Sequence, residues 1–318
     1  MGAMNIEIVS DPDEELAQQC MEFYLAEGWN STPELMARLK AAYTSENFKQ
    51  LIAIDKETGK VLGSVLTALV ETKAGNPIML LGSFIVTKLY RGQGIGTHLF
   101  RSALNADPRF HGINRGICSV DNMSEKYSNI FGYSNKLEGA ILAKIIKLID
   151  IDLSQLDVDP MLKVVPFEKA NYNKVLTFDT KCTGLNRRKF LKAWMTPNKP
   201  ELSGKVALDD HGNVIGFIRL SEGPKRRLVP GPWFAKDKLI ATTLLKSALD
   251  SIPNLYHKYE SLRFITYISN TAAMQTIDDI TVSGTPIMKL MFGQFTGDVL
   301  NVNYDYVYNL TEISLGIV

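Results

Sequence analysis

Glycine occupies positions 92, 94 and 96 of YRGQGIGTHLFRSAL, residues 90 to 104, directly before a segment whose apolar residues recur at helical spacing. A loop that opens a helix points the first-turn N–H groups, backed by the positive end of the helix dipole, at whatever lies in front. Such a terminus can hold an anion. Glycines remove Cβ atoms that would keep phosphate oxygens off the backbone, and they permit positive φ in a nest of N–H donors. Arg91 adds a fork of donors at the rim. A Gly-rich turn without a ligand is the alternative that glycines alone leave open. Two nucleotide motifs do not fit. A Walker A loop needs a lysine where Thr97 and His98 follow Gly96, and a dinucleotide fingerprint needs GxGxxG after a first strand, not GxGxG after about the fourth.

The elements that hold this loop can be read outward from it. PIMLLGSFIV, just upstream, is apolar enough for a central strand buried on both faces. Before it, QLIAID and KVLGSVLTALV flank KETG as a hairpin, and NIEIV reads as a first strand. EELAQQCMEFYLAEGW has helical periodicity ending near Gly28, and STPE starts a second helix, with Ser31 or Thr32 as cap and Pro33 in the first turn. A helix over 97–106 follows the loop. GICSV then reads as a strand and DNMSEKYSNIFGYS as a helix ending near Gly132, with Asn122 as its N-cap and Glu125 completing a capping box.

The chain has 318 residues, 45% of them hydrophobic, enough for two cores. Its 35 basic and 34 acidic residues nearly cancel, so nothing global favours nucleic acid or an anionic membrane. Cys20, Cys118 and Cys182 are dispersed, which argues against a disulfide framework or a zinc site, and no metal site is expected. The absence of a signal pattern or long apolar run leads to the expectation of a cytoplasmic protein, in which the sequon at Asn30 is irrelevant. Met1 to Ala3 read as a non-native remnant ahead of a native Met4.

Three segments recur in order. KETGKVLGSV is echoed by DHGNVIGFI, THLFRSAL by TTLLKSAL, with Leu104 and Leu249 145 positions apart, and ICSVDN by ITYISN, with Asn122 and Asn270 148 apart. This reads as a tandem duplication of one α/β unit whose junction lies in 140–165. In the later copy Lys236, Asp237, Lys238, Leu239, Ile240 and Ala241 stand where the first has RGQGIG, so bulk and a negative charge replace the glycines.

RGQGIG together with SFIVTKLYR resembles the acyl-CoA loop of the GNAT N-acetyltransferase superfamily, with Val86, Tyr90, Arg91, Gly94 and Gly96 on the motif and Lys88 replacing its proline. Asn122 after the next strand and FGY at 131–133 extend the resemblance over 4 to about 135. GPWFAKDKLIATTLL, between NVIGFIRL and ISN, resembles a GNAT-like C-terminal domain fused behind ordinary GNAT domains. The implied fold is α/β (α+β), two tandem GNAT-like domains at 4–145 and 160–318, each with a mixed, mostly antiparallel sheet flanked by helices.

The resemblance further implies acetyl-CoA as cosubstrate, its pyrophosphate on the N–H groups of 91 to 97 (Arg91, Gly92, Gln93, Gly94, Gly96 and Thr97) with Asn122 nearby, and its pantetheine arm along the backbone of Phe84 to Val86. An amine would attack the thioester directly, with an N–H near Val86 stabilising the oxyanion. The tyrosine that many members use as acid falls at Ser128 here. Tyr127 is one residue off, about 100° around the helix, and serves only if the helix end differs. For a base, Glu71, Asp121 and His111 stand unresolved, and His98 reads as helix surface.

The expected acceptor is a small-molecule amine, with protein lysine possible and no nucleic acid or membrane partner. The alternative is a CoA-binding sensor or scaffold without catalysis. In the second half, PKRRL at 224–228 reads as a solvated hairpin loop, and Trp194 and Trp233 as packing residues or as walls of an acceptor pocket.

Overall fold

The computed structural model describes residues 5–197, 199–284, 286–313 and 315, so Met1 to Ala3, the call for a native Met4 and the last residue of the 160–318 range lie outside the described residues. The first half runs β1 (Ile6–Ser10), α1 (Glu14–Ala26), α2 (Pro33–Asn47), β2 (Phe48–Asp55), β3 (Val61–Thr72), β4 (Pro77–Val86), α3 (Ile95–Leu104), β5 (Asn114–Val120), α4 (Asp121–Phe131), β6 (Asn135–Lys136) and β7 (Ile141–Lys147). The second half runs β8 (Lys163–Pro166), α5 (Tyr172–Thr183), β9 (Leu185–Asn186), α6 (Arg188–Met195), β10 (Lys205–Leu208), β11 (Val214–Gly223) and β12 (Arg227–Ala235). It continues through α7 (Lys238–Asp250), α8 (Leu255–Lys258), β13 (Ser261–Tyr267), α9 (Thr271–Ile280), β14 (Ile287–Phe295) and β15 (Val307–Asn309).

Local signals act where the sequence places them. Thr32 caps α2 through its hydroxyl, with Pro33 first in the helix. In α3, Ile95, Leu99, Phe100 and Ala103 form the buried stripe, and each large side chain taken from water contributes about 1.5–3 kcal/mol. At the far end of α4, Gly132 adopts the left-handed conformation and the N–H groups of Gly132 and Tyr133 close on Ser128 and Tyr127 carbonyls. The start of α4 departs from expectation. The helix begins at Asp121 behind Val120, which offers no side-chain cap, so Asn122 is a first-turn residue and the Asn122–Glu125 capping box does not form.

The sheet is mixed and mostly antiparallel, in the order β1-β2-β3-β4-β5-β14-β7-β13-β12-β11-β10-β8. Parallel pairing occurs at corresponding places, β4 with β5 and β12 with β13. Between them the halves exchange strands: β14 of the second half pairs with β5 of the first, and β7 of the first pairs with β13 of the second. The expected boundary at 145 therefore falls inside β7, and neither sequence range closes its own sheet. Gln294 on β14 fastens the exchange. Its amide donates to the carbonyls of Tyr133 (2.9 Å) and Ser124 (3.2 Å), and its oxygen accepts from Ser119 (2.5 Å).

The layers follow from side-chain alternation along the strands. One core lies between the first-half strands and α3 with α4, a second between the second-half strands and α7 with α9, and the largest between the halves under α1, α2, α5 and α6. Trp194 belongs to this last core and Trp233 to the second; both are almost fully buried, and Trp194 also borders a cavity between the halves. No helix among the described residues is long and apolar enough to cross a membrane.

Candidate active site

Gly92 and Gly94 have φ of 80° and 83°, the left-handed region that side chains resist. An added Cβ at either would meet nothing within 4 Å, so conformation requires glycine there and the space in front is open. Gly96 differs. A Cβ there would press on Phe84 and Val86 at 3.3 Å, so this glycine lets α3 lie against β4 instead of clearing room for an anion. Gly94 is the N-cap of α3 and no side chain caps the helix, which leaves the N–H groups of Ile95, Gly96 and Thr97 directed at the opening.

Two of Arg91's three guanidinium nitrogens have partners within the protein. Its Nε donates to the Val86 carbonyl (2.8 Å) and its guanidinium pairs with Glu27 (2.7 Å) just past α1. It thereby ties the loop to the strand end and to the first helix. Gln93 donates to the Leu89 carbonyl across the preceding turn (3.3 Å).

Beside the loop, β4 and β5 pair only as far as Leu81 and Ile117 and then diverge past an irregular stretch of β4 where Ser83 has φ 45°. Thr87 donates to Leu62 of β3, so the ladder bond falls on Thr87 and the peptide groups of Val86 face away from β3. The edge from Phe84 to Val86 thus borders a V-shaped gap that an extended ligand arm can join as an added strand.

Tyr127 is 6% exposed, in a ring cluster with Phe84 (centroids 6.4 Å), Phe100 (5.7 Å) and Tyr133 (6.4 Å). Its hydroxyl bonds to no described group, and burial, aided by Tyr133, pushes its pKa above the ordinary phenol value. It is held in the protonated form, as a weaker acid than an ordinary phenol. Asn122 is exposed, without a side-chain hydrogen bond among the described residues.

The three base candidates separate by position. Glu71 pairs opposite Pro77 at the start of β4, about 30 Å along the strand from Val86 at ~3.3 Å per residue. His111, within 3.3 Å of Asn105, precedes β5 at that same end of the sheet. Asp121 alone of the three stands at the end where β5 and the glycine loop meet. His98 is exposed on α3. Two contributors escaped the sequence reading: Glu27, whose link to Arg91 spans 64 positions, and Gln294, which holds β5 and α4 from the other half.

The second half closes each corresponding feature. Eight residues separate β4 from α3, but two separate β12 from α7. Asp237 is the N-cap of α7, the place Gly94 holds before α3, and its carboxylate accepts from the Ile240 N–H (2.9 Å). The continuous frame that sets Asp237 against Gly92 overlooks this difference in loop length. β12 and β13 also diverge, after Leu228 and Leu262. Into their gap comes β15, paired with Trp233 and Phe234, while Leu310 donates to the Ile265 carbonyl (2.8 Å). Trp233 lies six residues past the first parallel pair of its half, as Phe84 does in the first. The chain's own strand therefore fills the groove that is open beside Phe84. Asn270 secures it, capping α9 at Ala273 (2.9 Å) and donating to the carbonyls of Tyr304, Asp305 and Val307.

Residues 14–125 match the model of the acetyltransferase (GNAT) family, and residues 175–292 that of an acetyltransferase (GNAT) domain. An uncharacterized protein of Caenorhabditis elegans is 23% identical over 272 residues, 84% of this chain and 83% of that protein. The fold is similar to that of a Pyrococcus horikoshii protein provisionally called an acetyltransferase (TM-score 0.70, 16% identity, 99% of this chain and 97% of that one). It is also similar to a tandem GNAT protein from the clavulanic acid biosynthesis pathway (0.64, 14%, 93% and 100%). A third likeness is Saccharomyces cerevisiae N-myristoyltransferase, solved with bound myristoyl-CoA (0.61, 9%, 99% and 88%). With a GNAT match on each half and tandem GNAT folds spanning the whole, this chain belongs to the GNAT superfamily as a tandem protein of two such domains.

Proposed function

We propose that the chain is an acetyl-CoA-dependent N-acetyltransferase whose first half acetylates a primary amine, that of a small molecule in preference to protein lysine. The observation that carries this reading is the asymmetry of two helix starts, open before α3 and capped by Asp237 before α7. The open amides, Gly92 and Gly94 at positive φ, and the outward edge of β4 suit a diphosphate followed by an extended arm. Acetyl-CoA supplies an activated thioester. Val86 offers an N–H toward the carbonyl oxygen that becomes negative on direct amine attack, and Tyr127 holds a proton for the departing sulfur. Of the three base candidates, Asp121 alone stands at the end of β5 beside the gap and can relieve the incoming ammonium of its proton through water. Near-neutral overall charge supports a small acceptor over a basic protein tail.

A second reading, a CoA-binding scaffold without turnover, draws on β4 itself, whose sequence PIMLLGSFIV carries no ionisable side chain. Thiol release from acetyl-CoA with a panel of primary amines separates the two. Turnover with any amine supports the enzyme, and CoA binding with no turnover across the panel supports the scaffold.

A further inference from the structure

A cavity of about 320 Å³ lies between the halves, bounded by the start of α2 on one side and the β11–β12 hairpin on the other, and no residue of the glycine loop lines it. That is the lower end of the range of small-molecule sites. Arg219 on β11 lines it at 1% exposure, with Nε buried and unpartnered; the Ser221 hydroxyl (3.1 Å) accepts from its Nη1. Arg38 on α2 lines it from the first half, one guanidinium nitrogen on the carbonyls of Ala193, Trp194 and Thr196. Neither arginine forms an ion pair among the described residues, although Glu34, Glu222 and Glu312 also border the cavity. Glu222 is already answered by Lys199 (2.8 Å) and Tyr259 (2.5 Å), and Glu312 accepts from Ile313 N–H (2.9 Å).

Alternation along the paired strands puts Arg227 and Arg263 on the same sheet face as Arg219, each with a buried, unpartnered Nε. Burial and the neighbouring Arg38 push Arg219 down to about 9. A buried cation facing a second cation is costly unless an anion joins them. Asn30, also on the wall, leaves its amide oxygen buried and unbonded; turned over, the amide offers two donors.

We propose that this cavity binds the oxyanion end, carboxylate or phosphate, of a small molecule, held between Arg38 and Arg219. Arginine forks match both groups in geometry and charge. The site is separate from the coenzyme loop and does not depend on which acyl group the first half carries.

The test is calorimetric titration of the full chain with inorganic phosphate and, separately, with succinate. Arg38→Gln and Arg219→Met are each expected to weaken binding at least about tenfold, the scale of a lost charge-assisted bond. Gly94→Glu, which closes the glycine loop, should leave it intact. Tighter phosphate assigns the ligand a phosphate end, tighter succinate a carboxylate end. In anion-free buffer, Arg219→Met should also raise Tm and abolish the anion-induced rise, whereas a merely structural arginine would lower Tm when removed. Should Arg219→Met not fold, Arg38→Gln decides alone. The proposal is overturned if Gly94→Glu abolishes binding while the arginine variants keep it, or if neither anion binds by about 10 mM, where linkage would still register a weak site.

Discussion

The two halves share a fold and differ first at the start of the helix that follows the central strand. In the first half Gly94 leaves the amides of α3 open, while in the second Asp237 answers one of them from within. The groove beside the strand diverges the same way, open along Phe84 to Val86 and filled by β15 at Trp233 and Phe234. The matched asparagines follow suit, Asn122 exposed on one side and Asn270 buried against the turn that feeds β15 on the other. A carboxylate and a short strand supply to the second copy what a diphosphate and an extended arm would supply to the first. With its own gap filled by β15, the second half lends β14 to the first.

The comparison breaks most completely if the halves prove separable. A chain ending at 160 lacks β14, which covers the edge of β5 and carries Gln294; it should show no cooperative thermal transition by circular dichroism. Next in size, Gly94→Asp puts a carboxylate at the start of α3, the charge that Asp237 brings before α7. CoA affinity should fall by more than about a hundredfold, roughly 3 kcal/mol, in calorimetry while the fold persists. Asn270→Ala should lower unfolding free energy by about 2–4 kcal/mol in urea titration, because a cap and buried amide bonds are lost together. Asn122→Ala should leave it within about 0.5 kcal/mol. Smaller still, Tyr127→Phe should cut kcat roughly tenfold or more with stability unchanged, since no described group bonds the hydroxyl. An unchanged kcat would leave Tyr127 as a packed ring.

What could be read from the sequence was what local chemistry specifies. The glycine loop, the capped α2, the buried β4 and the duplicated order all follow from residue type and short spacing. The strand exchange does not, because β7 and β14 each read as ordinary strands and periodicity says nothing of which edge receives them. β15 has three residues and no pattern of its own, so the filled groove was invisible. The Asp237 cap had a signal, an aspartate before a helical run, and was missed because the copies were aligned through loops of unequal length. Asn122 was assigned to a cap from the capping-box pattern with Glu125, but α4 starts two residues earlier than that cap requires, at Asp121, and the Asn122 side chain is left exposed.

The most direct test is a crystal structure of the full chain with CoA. The account predicts one coenzyme per chain, its diphosphate against the amides of 92–97 and its arm along Phe84 to Val86. A coenzyme found between β12 and β13 with β15 displaced, or at both places, would contradict it.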